Sequence, residues 1–63
     1  MLVEVLDGEV LLFEADFHFL PRVGETISKD SGGYFTYYDV EEVWHRQEAS
    51  GAFKACVGVV LND

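Results

Sequence analysis

The residues best able to take part in catalysis are a single cysteine, Cys56, and two histidines, His18 and His45. A cysteine attacks as its thiolate, and Lys54 lies two residues away on the same side of a strand, where its charge could lower the pKa of the thiol. No general base accompanies this pair, and free cysteines are often simply buried. The histidines have no positioned partner, so we expect solvated side chains. The sequence therefore predicts a protein that is not an enzyme and has no catalytic residues.

Metal and cofactor motifs are also missing from the sequence. No group of cysteines and histidines has the spacing of a zinc site. The acidic residues Asp39, Glu41 and Glu42 do not follow the alternating order of a calcium loop. Gly32-Gly33 is not followed by the lysine of a phosphate-binding loop. We therefore predict neither a metal site nor a cofactor.

Negative charge is the unusual property of the chain, which has 12 Asp and Glu against 4 Lys and Arg and a formal net charge of −8. Carboxylates two residues apart on one side of a strand lie about 6.6 Å from each other. Such rows create a dense negative field that steers a cationic surface toward it, and Tyr and Trp are enriched at binding hot spots. The predicted protein-binding residues are Glu14, Asp16, Tyr37, Asp39, Glu41, Glu42 and Trp44.

A protein with a basic surface is the partner that this charge favours. Direct binding to nucleic acid is not expected, because the four cations, Arg22, Lys29, Arg46 and Lys54, are scattered singly along the sequence. Two simpler explanations stay open. The charge could serve solubility alone, and the aromatic side chains could form cross-strand pairs.

The length of 63 residues and an apolar content of 49% indicate a single folded domain over residues 1–63. A chain of this size buries only about 60% of its unfolded surface, so a partner or self-association would add stability. The lone cysteine excludes an intramolecular disulfide and suggests a reducing, cytoplasmic location. We see no signal peptide and no segment able to span a membrane.

The first structural element is a hairpin, since Asp7-Gly8 lies between two apolar stretches and favours a type I′ turn. That turn pairs Val5 with Val10 and Val3 with Leu12. These four side chains would then form a second apolar patch on the hairpin, which another copy of the chain could cover. A homodimer is therefore one expected assembly.

Alternating apolar residues predict a second strand from Leu11 to Phe19, ended by Pro21, and later strands near 26–28, 34–38 and 53–61. Residues 40–49 fit two structures. One is a strand with a bulge near Glu41-Glu42, which we favour, and the other is a short helix capped by Asp39. The predicted fold is all-β, either a small, strongly bent antiparallel sheet or an SH3-like barrel of about five strands.

Two motifs carry a resemblance to known proteins. Leu20-Pro21-Arg22-Val23-Gly24-Glu25 forms an LPRVGE turn, and Tyr38, Val40, Val43 and His45 form a Y-x-V-x-x-V-x-H strand. With its apolar final strand, the chain resembles short bacterial and phage small β-barrel proteins of uncertain function. The resemblance covers about the last two thirds of the sequence, implies a small β-barrel and transfers no catalytic residue.

An acidic chain that resembles phage and mobile-element proteins suggests a specific hypothesis. The protein would be an inhibitor of the anti-CRISPR type, which imitates the charge of a nucleic acid and occupies the basic groove of a nucleic-acid-binding protein in the host or its phage defence. The alternative is an oligomeric accessory or structural module whose charge serves solubility only.

Overall fold

Five β-strands make up the fold in a computed structural model that describes residues 1–62. The described residues contain no helix, so the all-β prediction is confirmed. The strands are β1 (Leu2–Asp7), β2 (Val10–Asp16), β3 (Thr26–Asp30), β4 (Phe35–Gln47) and β5 (Phe53–Asn62).

The strands form one sheet in the order β2-β1-β5-β4-β3. Three neighbouring pairs are antiparallel, but β1 and β5 run parallel, so the sheet is mixed rather than wholly antiparallel. No short turn links β1 to β5, and local turn signals therefore do not reveal this pairing. The first and last strands thus lie side by side in the interior of the sheet, and β2 and β3 form its two edges.

The core lies on one face of the sheet, which we call the inner face. Valines from the three central strands are fully or almost fully buried there: Val3, Val5, Val40, Val57 and Val59. The sheet curls around them, so that the ring of Phe13 on β2 lies 5.9 Å from the ring of Tyr38 on β4. The result is an open half-barrel, in agreement with the predicted strong bend.

The predicted register of the first hairpin is wrong. Its two-residue loop is Gly8-Glu9, with Gly8 at a positive φ of 60°, and a bulge shifts the pairing so that Val5 lies opposite Phe13. The observed loop has a positive φ only at its first residue, Gly8, which fits a type II′ turn. The predicted type I′ turn at Asp7-Gly8 would need a positive φ at Asp7 as well. Val3 and Val5 are therefore buried in the core, and the apolar patch that suggested a homodimer does not form.

Two further strand predictions have different outcomes. The second strand ends at Asp16, well before Pro21, and His18 lies in an exposed bend beyond it rather than on the strand. Residues 35–47 form one long strand with a register shift between Val40 and Glu42. The prediction of a bulged strand is thus confirmed, and the alternative of a helix over 40–49 is wrong. The bulge resets which side chains of β4 face outward.

Candidate protein-binding surface

Strand β4 presents a row of polar and aromatic side chains on the outer face of the sheet, opposite the core. Tyr38 and Val40 pack against the core, so Tyr37 and Asp39 point outward. Glu41 occupies the bulge, and the reset alternation places Glu42 and Trp44 on the outer face as well, while Val43 packs inward. We call these five outward residues, Tyr37, Asp39, Glu41, Glu42 and Trp44, the acidic face.

The members of the acidic face differ in how firmly they are held. Asp39 accepts hydrogen bonds from the hydroxyl of Thr26 at 3.0 Å and from the side-chain amide of Asn62 at 3.1 Å. Trp44 is half-buried because it lies against Gly58 of β5, where an added Cβ would come within 3.3 Å of the indole ring. Glu41 and Glu42 are exposed. A fixed indole beside free carboxylates is a suitable anchor for a partner protein.

The other two predicted binding residues lie apart from this group. Glu14 and Asp16 are on β2, with β1 and β5 between them and β4. Three strand spacings correspond to about 14 Å. The carboxylate of Glu14 contacts the ammonium of Lys54, and that of Asp16 accepts a hydrogen bond from the amino group of Met1 at 2.7 Å. The sequence therefore identified two acidic rows, but the fold does not join them into one site.

Between the two acidic rows runs a strip of ion pairs that sequence reasoning missed. Arg46 donates hydrogen bonds of 2.9 Å from both terminal nitrogens to Glu4 and lies 3.6 Å from Glu48. These bonds hold the pKa of the Glu4 carboxyl below its ordinary value, and Glu4 in turn raises the pKa of Arg46. Arg46 and Lys54 are cross-strand neighbours, although they are eight positions apart in sequence. Two of the four cations are therefore neighbours in the folded chain, although the sequence separates them.

The carboxylates of the acidic face do not take part in these ion pairs. Within residues 1–62, Asp39, Glu41 and Glu42 have no lysine, arginine or histidine nitrogen within 4.0 Å. By contrast, Glu4 and Glu14 each contact a cation. Within residues 1–62, β4 therefore carries three carboxylates without an ion-pair partner, and Asp7, Glu9 and Asp30 are the others.

Cys56 lies on the same outer face but is fully buried. Burial raises the pKa of its thiol, and the nearby Arg46 opposes this effect only in part. Lys54 contacts Glu14, and this hydrogen bond raises the pKa of the lysine. The surroundings therefore favour the protonated thiol, which is a poor nucleophile. Among the described residues, no three His, Cys, Asp or Glu side chains are placed to hold a metal ion together.

Comparison with known proteins adds no family assignment. No family model matches the chain, and neither curated proteins nor solved structures give a significant match. None of the described residues belongs to a helix long and apolar enough to cross a membrane.

Proposed function

We propose that the chain is a non-enzymatic protein-binding module whose acidic face engages a basic surface on another protein. One observation carries the proposal: Glu41 and Glu42 stand exposed beside the half-buried Trp44, while Arg46 and Lys54 neutralise the carboxylates nearer to β2. Charge attracts the partner and sets its orientation, and the aromatic side chains supply apolar contact. Tyr37, which is 46% exposed, extends the aromatic surface along β4.

The most specific form of the proposal is an inhibitor that replaces a nucleic acid. Alternate outward positions on β4 place side chains about 6.6 Å apart, so the acidic face is a linear array of charge along one strand. A groove that binds a phosphate backbone presents arginine and lysine side chains along its length. The partner would be a nucleic-acid-binding protein of a host or of its phage defence, as for an anti-CRISPR protein. The resemblance to short bacterial and phage proteins supports this form.

Two matched charge variants test the proposal. The first is Glu41→Gln with Glu42→Gln, and the control is Asp7→Asn with Glu9→Gln, which removes the same charge at the far hairpin turn. A partner is captured from bacterial extract, purified and titrated calorimetrically against each variant, with its nucleic acid as competitor. We expect the first variant to weaken binding about tenfold or more and the control to weaken it far less. Equal effects of the two variants, or simultaneous binding of nucleic acid, would contradict the inhibitor.

An oligomeric accessory module is the second candidate, because apolar side chains remain exposed on β2. Val10 is 62% exposed and Leu11 is 52% exposed. Sedimentation at high micromolar concentration distinguishes the two candidates. A stable oligomer that dissociates in the variant Val10→Ser with Leu11→Ser would favour the accessory module. If the Glu41 and Glu42 changes also leave partner binding unaffected, the charge serves solubility only.

A further inference from the structure

The edge strand β3 has a row of backbone groups that no other strand of residues 1–62 occupies. One of them, the carbonyl of Asp30, accepts a hydrogen bond of 3.4 Å from the ammonium of Lys29. At one end of β3, Val40 donates a backbone hydrogen bond to the carbonyl of Glu25, and at the other Ser31 donates one to the carbonyl of Tyr34. Bonded residues alternate along an antiparallel pair, so Ile27 and Lys29 bond toward β4. The N–H and C=O groups of Thr26, Ser28 and Asp30 therefore point away from the sheet. They are a template for one more strand.

A gap separates this edge from the other edge of the half-barrel. Among the described residues, no Cα atom of β2 lies within 8 Å of a Cα atom of β3, whereas paired strands lie about 4.8 Å apart. The two edges approach only through side chains, with the ammonium of Lys29 5.3 Å from the centre of the Phe13 ring. The sheet therefore curls toward closure without completing it.

An apolar pocket of about 270 Å³ opens where this gap meets the start of β3. Phe17, Phe19, Pro21 and Ile27 provide its apolar lining, and Thr26 and Ser28 of the unpaired edge border it. Ligand pockets for drug-sized molecules span roughly 300–1,000 Å³, so this pocket is better matched to one apolar side chain. Phe19 is 74% exposed beside it. A free strand edge next to a side-chain pocket is the combination used in peptide recognition by strand addition.

We propose that an extended segment of a partner protein, rich in lysine or arginine and carrying one large apolar side chain, adds to β3 as a sixth strand. Its backbone pairs with Thr26, Ser28 and Asp30, and its apolar side chain enters the pocket. Charge selects this occupant. The chain has a net charge of −8, and Asp30, which has no ion-pair partner among the described residues, lies exposed at the end of β3. A second copy would bring another −8 to the same place, whereas a basic segment is attracted.

This surface is distinct from the acidic face and does not depend on it. The acidic face consists of side chains on the outer surface of β4, but recognition at β3 uses backbone groups that point sideways from the sheet. The two proposals can therefore fail separately.

Proline and alanine at one position test the strand addition. Ser28→Pro removes an N–H that points out of the sheet and leaves the bonds to β4 in place, because edge strands tolerate proline at such positions. Ser28→Ala keeps the N–H and is the matched control. The probe is a set of acetylated seven-residue peptides in which lysine alternates with valine, with leucine, isoleucine, methionine or phenylalanine at the centre. Thermal melts confirm that both variants are folded.

We expect at least one peptide to bind the wild type and Ser28→Ala equally, and to bind Ser28→Pro about tenfold or more weakly, as loss of a backbone hydrogen bond requires. Amide exchange should slow at Thr26, Ser28 and Asp30 in the complex. Phe19→Ala should weaken the peptide with the largest central side chain most. The proposal is overturned if no peptide binds below millimolar concentration, or if Ser28→Pro binds as well as Ser28→Ala. A dimer that Ser28→Pro dissociates would also overturn it, since the occupant would then be a second copy.

Discussion

Arg46 binds Glu4 across the width of a complete strand. The two residues are 42 positions apart in sequence, on β4 and β1, and their side chains meet above β5 through two hydrogen bonds of 2.9 Å. Beneath this pair lies the buried thiol of Cys56, which is 3.9 Å from a terminal nitrogen of Arg46. The ion pair therefore ties together three strands of the sheet on the face that lacks the valine core.

The Glu4 carboxylate should make stability depend on pH. Its pKa is lower in the folded chain, so its contribution is fully present above the ordinary pKa of a glutamate and is lost as the pH falls through the lowered folded value. Urea denaturation of wild type and Glu4→Gln between pH 7 and about pH 3 measures this effect. The advantage of the wild type over the variant should shrink on acidification. A constant difference across this range would show that the pair does not stabilise the fold.

The shifted register of the first hairpin predicts unequal costs for two neighbouring apolar residues. Val5 is fully buried, whereas Leu12 is 38% exposed beside the bulge. Val5→Ala should lower the free energy of unfolding by about 2 kcal/mol, and Leu12→Ala by about 0.5 kcal/mol. Chemical denaturation of both variants gives the comparison. Similar losses would support the register predicted from the sequence, in which the two residues share one patch.

Gly58 should be intolerant of larger side chains because Trp44 lies over it. An added Cβ would lie 3.3 Å from the indole ring and 3.4 Å from Glu42. Gly58→Val should therefore cost about 2 kcal/mol through overpacking and shift the fluorescence of Trp44. In a Trp44→Ala background the same change should cost much less, since the ring is gone. An equal cost in both backgrounds would mean that the contact with Trp44 is not the cause.

The thiol of Cys56 should react slowly in the folded protein. The side chain is fully buried and its pKa is raised, so modification requires opening of the sheet. A thiol reagent followed by absorbance should react about a hundredfold more slowly with native protein than with protein unfolded in urea. Comparable rates in the two states would indicate that the β4 and β5 region opens readily.

The free protein should not bind nucleic acid at physiological salt. Arg46 and Lys54, the two neighbouring cations, are already engaged by Glu4 and Glu14. Binding to a phosphate backbone depends on free cations that displace counterions. A mobility-shift assay with single- and double-stranded DNA and RNA at about 150 mM salt should show no complex up to micromolar protein. A complex at that concentration would contradict the role assigned to the acidic face.

Local patterns in the sequence account for most of the strands. Alternation identified β5, and the bulge near Glu41 followed from Val40 and Val43 both being apolar with two acidic residues between them. The turn of the first hairpin was located to within one residue. A shift of that size changes which side chains face each other, and the bulge at Leu12 of β2 then places Phe13 and Ala15 opposite Val5 and Val3 of β1.

The arrangement of charge could be predicted less well, because it depends on pairings between distant strands. The position of Glu42 and Trp44 on one face follows from strand alternation. The compensation of Glu4 by Arg46 requires knowing that β5 lies between β1 and β4. No turn motif in the sequence indicates the parallel pairing of β1 with β5. Local sequence patterns therefore could not predict which carboxylates form ion pairs and which stay free.

The place of β5 in the interior of the sheet has a consequence for synthesis in the cell. Translation delivers β5 last of the five strands, yet both β1 and β4 need it as their neighbour. While the nascent chain is still held by the ribosome, β1 and β2 can form a hairpin, but the valines of β1 have no β5 to pack against. Contacts between residues far apart in sequence slow folding. We therefore expect the domain to fold after residues 53–62 leave the exit tunnel, in a single step in which β5 joins the β1–β2 pair to the β3–β4 pair.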